Sequence, residues 1–238
     1  MTTSQTGQST SHHEDLRSHF DAMLAEIRQG LVELGSLVTE NLRRAGEAMR
    51  EGRLELIAEV RAADEEVDRR YIELERRTFE TLARQQPVAT DLRFLVAATR
   101  ILYEQERSGD LVVNCVNMLE REEGFPDIPS LRALLDRTVE TTARIWAMSV
   151  DALAEMQPEA GIRVDRADDE LDELISTFYT EIGSQSEAMG LESAIAMSRV
   201  GRFLERIGDH AVNIAENVTY ILTAEFPNTS RVTPSDQA

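Results

Sequence analysis

The chain has 238 residues, 42% of them hydrophobic, enough to bury a sizeable core as one large unit or two small ones. Its net charge of −19 argues against nucleic acid or an anionic membrane as the main partner and leaves cations, basic protein surfaces or simple solubility. Every basic residue is Arg, which excludes a Schiff-base lysine, and the lone Cys115 excludes an intrachain disulfide and fits a reducing compartment. The opening Met-Thr-Thr-Ser-Gln-Thr-Gly lacks the basic and apolar runs of a signal peptide. No stretch approaches the roughly 20 apolar residues of a membrane span. A cytoplasmic protein is expected, without direct insertion in a membrane.

Residues 1–13 and 226–238 are rich in Ser, Thr, Gln and Pro and are expected to be disordered tails. Between them the apolar period is helical throughout, with no strand-like alternation. The series Leu16, Phe20, Met23, Ile27, Leu31, Leu34, Val38, Leu42, Ala45, Met49 steps by four and three, one apolar stripe along a first helix that ends at Gly52. A second helix runs from about Leu54 to Gln85, where Pro87 stops it, and Thr90 is expected to cap a third reaching Glu122. Gly124, Pro126 and Pro129 make the clearest break in the chain. Ser130 is expected to cap a fourth helix to about Met156, a fifth follows Pro158 and Gly161 to about Ser184, and a sixth follows Gly190 to near Glu225.

The two halves repeat each other. Glu205-Arg-Ile-Gly-Asp209 occurs earlier as Glu106-Arg-Ser-Gly-Asp110, with Arg100 matching Arg199, Leu92 matching Leu191 and Asn114 matching Asn213, all 99 residues apart. Ala63-Asp64-Glu65-Glu66-Val67-Asp68 returns 104 residues later as Ala167-Asp168-Asp169-Glu170-Leu171-Asp172. Short links imply antiparallel neighbours. The fold class is therefore all-α: two tandem three-helix bundles, six long antiparallel helices related by internal duplication. The first repeat spans residues 14–123 and the second 124–225.

Each repeated motif is a pair of carboxylates spaced i, i+4, which places both on one helix face a turn apart. On the sixth helix Val200, Leu204, Ile207, Ala211, Ile214, Val218 and Ile221 share the apolar face. Glu205, Asp209, Asn213 and Glu216 share roughly the opposite one, toward solvent or a second contact. Carboxylates and amide carbonyls are hard ligands that suit Mg²⁺, Mn²⁺, Ca²⁺ or iron. Asp64 and Asp68 with Glu106 and Asp110, and Asp168 and Asp172 with Glu205 and Asp209, are the candidate sets for an ion or small cluster. A single acidic pair on a helix is ordinarily solvated charge, as Glu65, Glu66, Asp169 and Glu170 are expected to be. The duplication weighs against that reading. So do Gly109 and Gly208, each directly before an Asp: a mid-helix Gly costs about 1 kcal/mol against Ala, which suggests close approach of another backbone or clearance for a ligand. His210 lies about 100° off the ladder and is expected at the surface, with a place in a site as the alternative; Trp146 stands where the first repeat has Leu42 and is expected in the core. No nucleophilic triad, phosphate loop, Zn-type Cys/His spacing or Glu-x-x-His pair is present, so the chain is not expected to be an enzyme.

The run Arg202-Phe-Leu-Glu205-Arg-Ile-Gly-Asp209-His-Ala-Val-Asn213-Ile-Ala-Glu216, its copy Glu106-Arg-Ser-Gly-Asp110 and the acidic stretches from Ala63 and Ala167 resemble the PhoU family of phosphate-specific transport accessory proteins over about residues 15–225. The resemblance implies a regulator of phosphate uptake, not an enzyme. It implies a link between the ATPase subunit of a phosphate ABC transporter and a sensor histidine kinase that keeps the phosphate-starvation regulon off when phosphate is plentiful. It also implies a homodimer, and divalent or trivalent metal ions (Fe, Mn, Mg or Zn) on Asp64, Asp68, Glu106, Asp110, Asp168, Asp172, Glu205 and Asp209. The third helix departs from the family pattern at Tyr103-Glu-Gln-Glu106-Arg-Ser108, and the arginines of the second helix, Arg69, Arg70, Arg76 and Arg77, have no counterpart in it that explains them. The competing readings are a carboxylate-bridged metalloenzyme, a general stress or persistence regulator with other partners, and a bundle whose ladders are plain solvated charge.

Overall fold

A computed structural model describes the backbone of residues 6–225 and the side chains of residues 17–225. Among the described residues there are six helices and no strand: α1 Thr6–Glu51, α2 Leu56–Gln85, α3 Ala89–Arg121, α4 Pro129–Glu155, α5 Ala160–Met189 and α6 Leu191–Thr223. None of them is long and apolar enough to cross a membrane.

The apolar stripes form the core as their spacing requires. From Ile27 to Ala45 the α1 series is fully buried, as are Val200, Leu204, Ile207, Ala211, Ile214 and Val218 on α6. α1, α3, α6 and α4 pack in a closed inner ring, each against the next; α2 lies outside across α1 and α3, and α5 across α4 and α6. One apolar core runs through both repeats.

The repeats meet with antiparallel helices. Along α3 and α6, Arg93 donates to the Ile221 carbonyl at one end, Asn213 to Glu104 in the middle, and Ser193 to Glu122 at the other end. On α1 and α4, a methyl added to Gly35 would meet Val150, and one added to Gly46 would meet Val139. Those two contacts are images of each other under the 104-residue offset, which is the signature of a two-fold, self-complementary interface. Trp146 fills this seam, fully buried, its indole N–H donating to the Gly35 carbonyl at 2.9 Å.

Several boundaries differ from the sequence reading. α1 starts at Thr6, so Thr6 to His13 of the expected N-terminal tail are helical; a helix nucleated by its packed part propagates at little cost through a segment without proline. Residues 1–5 and the expected tail at 226–238 lie outside the described residues. Thr90 and Ser130 do not cap. α3 begins after an extended Val88 and α4 has Pro129 at its first position, where the missing N–H costs nothing. Ser130 donates instead to Glu181, and Thr90 accepts from Arg93. α5 continues past Ser184 to Met189, where Gly190 at φ 82° turns the chain into α6.

Candidate metal centre

Helix α5 carries Asp168 and Asp172 to the flank of α6, which presents Glu205 and Asp209. The two helices approach so closely at Gly208 that a methyl there would lie 2.4 Å from Asp168 Oδ1 and 2.6 Å from Leu171 Cδ2. The carboxylate of Asp168 therefore sits against the α6 backbone in space that only glycine leaves open, and Asp168 is just 2% exposed. The first repeat builds the same cradle between α2 and α3: a methyl on Gly109 would lie 2.4 Å from Asp64 Oδ1 and 3.3 Å from Val67 Cγ1. Asp64 Oδ1 is buried with no hydrogen-bond partner, a costly condition for a carboxylate oxygen. The close approach anticipated at the two glycines is thus to a side-chain carboxylate.

The electrostatics shows that each set of four is one neighbourhood. Burial pushes Asp64 up to about 7, and repulsion from Asp68, Asp110 and Glu106 adds to it. Burial likewise pushes Asp168 up to about 7, helped by Asp172, Asp209, Asp169 and Glu205. Asp209 rises to about 6 through burial and repulsion from Glu205 and Asp172, against the pull of Arg202 and Arg206. Asp68, Glu106 and Asp172 are raised too, burial first in each case. Within each repeat the four sequence-derived residues lie near enough to repel one another, and the second contact that their face meets is the α2 or α5 of the same repeat.

A cation suits this donor set: hard oxygens, an orphaned buried Oδ1 and mutual repulsion that a positive charge would remove. Among the described residues, however, no three His, Cys, Asp or Glu side chains already close around a point as an ion's ligands would. Asp68 and Asp172 stand exposed and would have to turn inward. At the rim, Arg202 pairs with Glu205 at 2.8 Å and Arg107 with Asp110 at 3.3 Å. The α6 ladder does not extend into its amide, because Asn213 turns across to Glu104 at 3.2 Å.

His210 corrects the sequence reading. It is 8% exposed, because α3 of the other repeat covers it. Its Nδ1 stands 2.9 Å from Ser108 Oγ and its Nε2 3.6 Å from Glu104 Oε2. Burial, then Arg206 and Arg107, hold the imidazole down at about 4, so it is neutral near pH 7. Burial raises Glu104 to about 7, against the hydrogen bond from Asn213 and with repulsion from Asp209. The angle of His210 on its own helix could not show this. The repeat could: at the 99-residue offset Glu104, Ser108 and His210 correspond to Phe203, Ile207 and Leu111, so a polar trio has replaced an apolar one.

The arginines of α2 have a structural role. Arg70 pairs with Glu33 of α1 at 3.0 Å and Arg77 with Glu26 of α1, fastening α2 to α1, while Arg69 and Arg76 pair with Glu66 and Glu80 on their own helix.

The PhoU domain model matches this chain twice, over residues 31–119 and 135–218, once in each half. The chain belongs to the PhoU family. A phosphate-specific transport system accessory protein PhoU homolog of Synechocystis sp. is 32% identical over 216 residues, covering 88% of this chain and 93% of the relative. A homolog of the same name in Deinococcus radiodurans is 31% identical over 213 residues, covering 87% and 98%. The crystal structure of PhoU from Pseudomonas aeruginosa matches with a TM-score of 0.81 at 25% identity, covering 87% of this chain and 100% of that one. The Synechocystis and Deinococcus relatives are named as accessory proteins; the family is not one of enzymes.

Proposed function

We propose that this PhoU-family protein is an accessory regulator of phosphate uptake. It acts in the cytoplasm as an adaptor between the ATPase subunit of a phosphate ABC transporter and a sensor histidine kinase, and it holds the phosphate-starvation regulon off when phosphate is plentiful. The match in both halves to accessory proteins of phosphate-specific transport supports the role. A surface without a catalytic constellation acts by binding, and the charge of −19 favours basic partner faces.

The metal-binding part of the proposal is carried by one observation: both repeats seat a buried Asp carboxylate against a helix glycine, beside three further carboxylates that repel it. Asp64, Asp68, Glu106 and Asp110 would hold one ion or cluster, and Asp168, Asp172, Glu205 and Asp209 the other. A bound divalent or trivalent ion (Mg, Mn, Fe or Zn) supplies positive charge that removes the repulsion. Asp64 and Asp168 would hold it from their seats against Gly109 and Gly208, and the exposed Asp68 and Asp172 would turn in to complete the set.

Deleting the gene should raise phosphate-regulon expression in phosphate-replete cells, and unchanged expression would refute the regulatory role. Elemental analysis of protein purified without chelator or affinity metal should show bound metal that the Glu205→Ala, Asp209→Ala double variant loses. Metal-free wild-type protein that takes up none on addition of Mn²⁺, Fe²⁺ or Zn²⁺ would leave the ladders as solvated charge.

A further inference from the structure

At the crossing of α3 and α6 the donors can be counted. Ser108 Oγ has one proton and gives it to the Glu104 carbonyl at 2.8 Å. In its 2.9 Å contact with His210 Nδ1 it is therefore the acceptor, and Nδ1 carries the ring proton. With its proton on Nδ1, the ring turns the lone pair of Nε2 toward Glu104 Oε2, 3.6 Å away and too far for a hydrogen bond. Glu104 Oε1 is already occupied, accepting from Asn213 at 3.2 Å. Two electron-rich atoms thus face each other where the side chains are mostly covered yet still open to solvent, His210 10% and Glu104 16% exposed.

This is the arrangement of a ligating histidine. Such a ring gives its far N–H to an oxygen that fixes the tautomer, and presents the other nitrogen to the ion. Two donors at about 2.1 Å from a tetrahedral ion stand about 3.4 Å apart, close to the 3.6 Å seen here. Packing does not require the polar trio, because the equivalent positions of the seam, Phe203, Ile207 and Leu111, are apolar. Asp209, one residue before His210 and near enough to repel Glu104, adds negative charge, while Arg206 and Arg107 oppose it from the rim.

We propose that Glu104 of α3 and His210 of α6 form a cation site across the seam between the repeats, separate from the carboxylate ladders. Its mixed imidazole and carboxylate donors select a borderline ion such as Zn²⁺ over the Mg²⁺ or Ca²⁺ that an all-oxygen set accepts. Solvent completes the coordination shell, and Ser108 is the positioning residue. An ion here ties one repeat to the other, which no ion in a ladder does.

The test is long-range ¹H–¹⁵N NMR of the imidazoles in the full chain, stripped of metal and titrated with ZnCl₂, with bound zinc counted in parallel. His210 should show the Nδ1–H tautomer, and zinc should move its Nε2 resonance while Nδ1 stays protonated. Glu104→Gln, whose amide can donate to Nε2 and so preserves the fold, should melt no lower than wild type yet lose that shift and one bound zinc. Ser108→Ala should weaken the binding about 10- to 100-fold. The double variant Asp68→Asn, Asp172→Asn should leave the His210 shift intact even if it empties the ladders. An Nε2–H tautomer would overturn the proposal. So would zinc that binds with equal stoichiometry to wild type and Glu104→Gln without moving the His210 signal, which would place it in the ladders alone.

Discussion

Replacing Gly208 by Ala tests the cradle most directly, because the same substitution elsewhere in the bundle has the opposite expected sign. In an open helical position Gly→Ala is stabilising by about 0.5–1 kcal/mol. Gly183, inside α5, is such a position: a methyl there meets nothing within 4 Å. At Gly208 the helix gains as much, but the methyl must displace Asp168 Oδ1 from 2.4 Å and Leu171 Cδ2 from 2.6 Å, both packed between α5 and α6. Overpacking of this kind costs about 1–3 kcal/mol. The shared propensity cancels when the two variants are compared, leaving that cost as the difference. For a chain of this size each kcal/mol moves Tm by about 2–4 °C, so Gly208→Ala should melt about 2–12 °C below Gly183→Ala. Gly109→Ala should fall between them, since its next contact, Val67, is at a tolerable 3.3 Å. Circular-dichroism melts in chelated buffer are sufficient. If Gly208→Ala melts at or above Gly183→Ala, the carboxylate does not need the space and the cradle has no meaning.

Three other outcomes are expected. Asp64, Asp168 and Glu104 are raised to about 7 and Asp209 to about 6, so between about pH 4 and 7 the folded chain holds protons that the unfolded chain has lost, and stability must fall as pH rises through that window. His210, lowered to about 4, works the other way but is one group against four; metal-free protein should therefore melt higher at pH 5 than at pH 8, and Mn²⁺ should raise Tm more at pH 8, a pattern that calorimetry can contradict by showing the reverse order. Cys115 is fully buried, with its thiol pushed up to about 12, so a thiol reagent should label it only in denaturant; prompt labelling of native protein would mean that the α3 core opens readily. Arg70→Ala and Arg77→Ala remove exposed ion pairs to Glu33 and Glu26, and each should cost less than about 1 kcal/mol in urea unfolding, with the loss shrinking in high salt.

The helices were legible because an apolar stripe depends only on neighbours along one helix, and from Phe20 to Met49 it holds nearly without exception in the structure. The repeat was legible because it is written in residue identities. The eight carboxylates could be grouped because both halves repeat them, and Gly109 and Gly208 could be singled out because glycine is costly mid-helix. What approaches those glycines could not be read, since the distance from Gly208 to Asp168 depends on how α5 lies on α6. The same limit hid His210: its surroundings come from α3, some hundred residues away in sequence, and helical angle alone placed it at the surface. Thr90 and Ser130 misled for a different reason, since the chain geometry after Pro87 and at Pro129 satisfied the helix starts without a side-chain cap.

The reciprocal contacts of Gly35 with Val150 and Gly46 with Val139 have an evolutionary consequence. In a symmetric pair of separate chains, every substitution at the mating surface occurs twice, and must be tolerable on both sides of the axis at once. Joining the partners in one polypeptide lifts that obligation. Each side can then drift alone, and a histidine can arise opposite a glutamate at one place while leucine and phenylalanine persist at its image. Fusion is thus what gives this molecule a left and a right, two faces that need not stay alike.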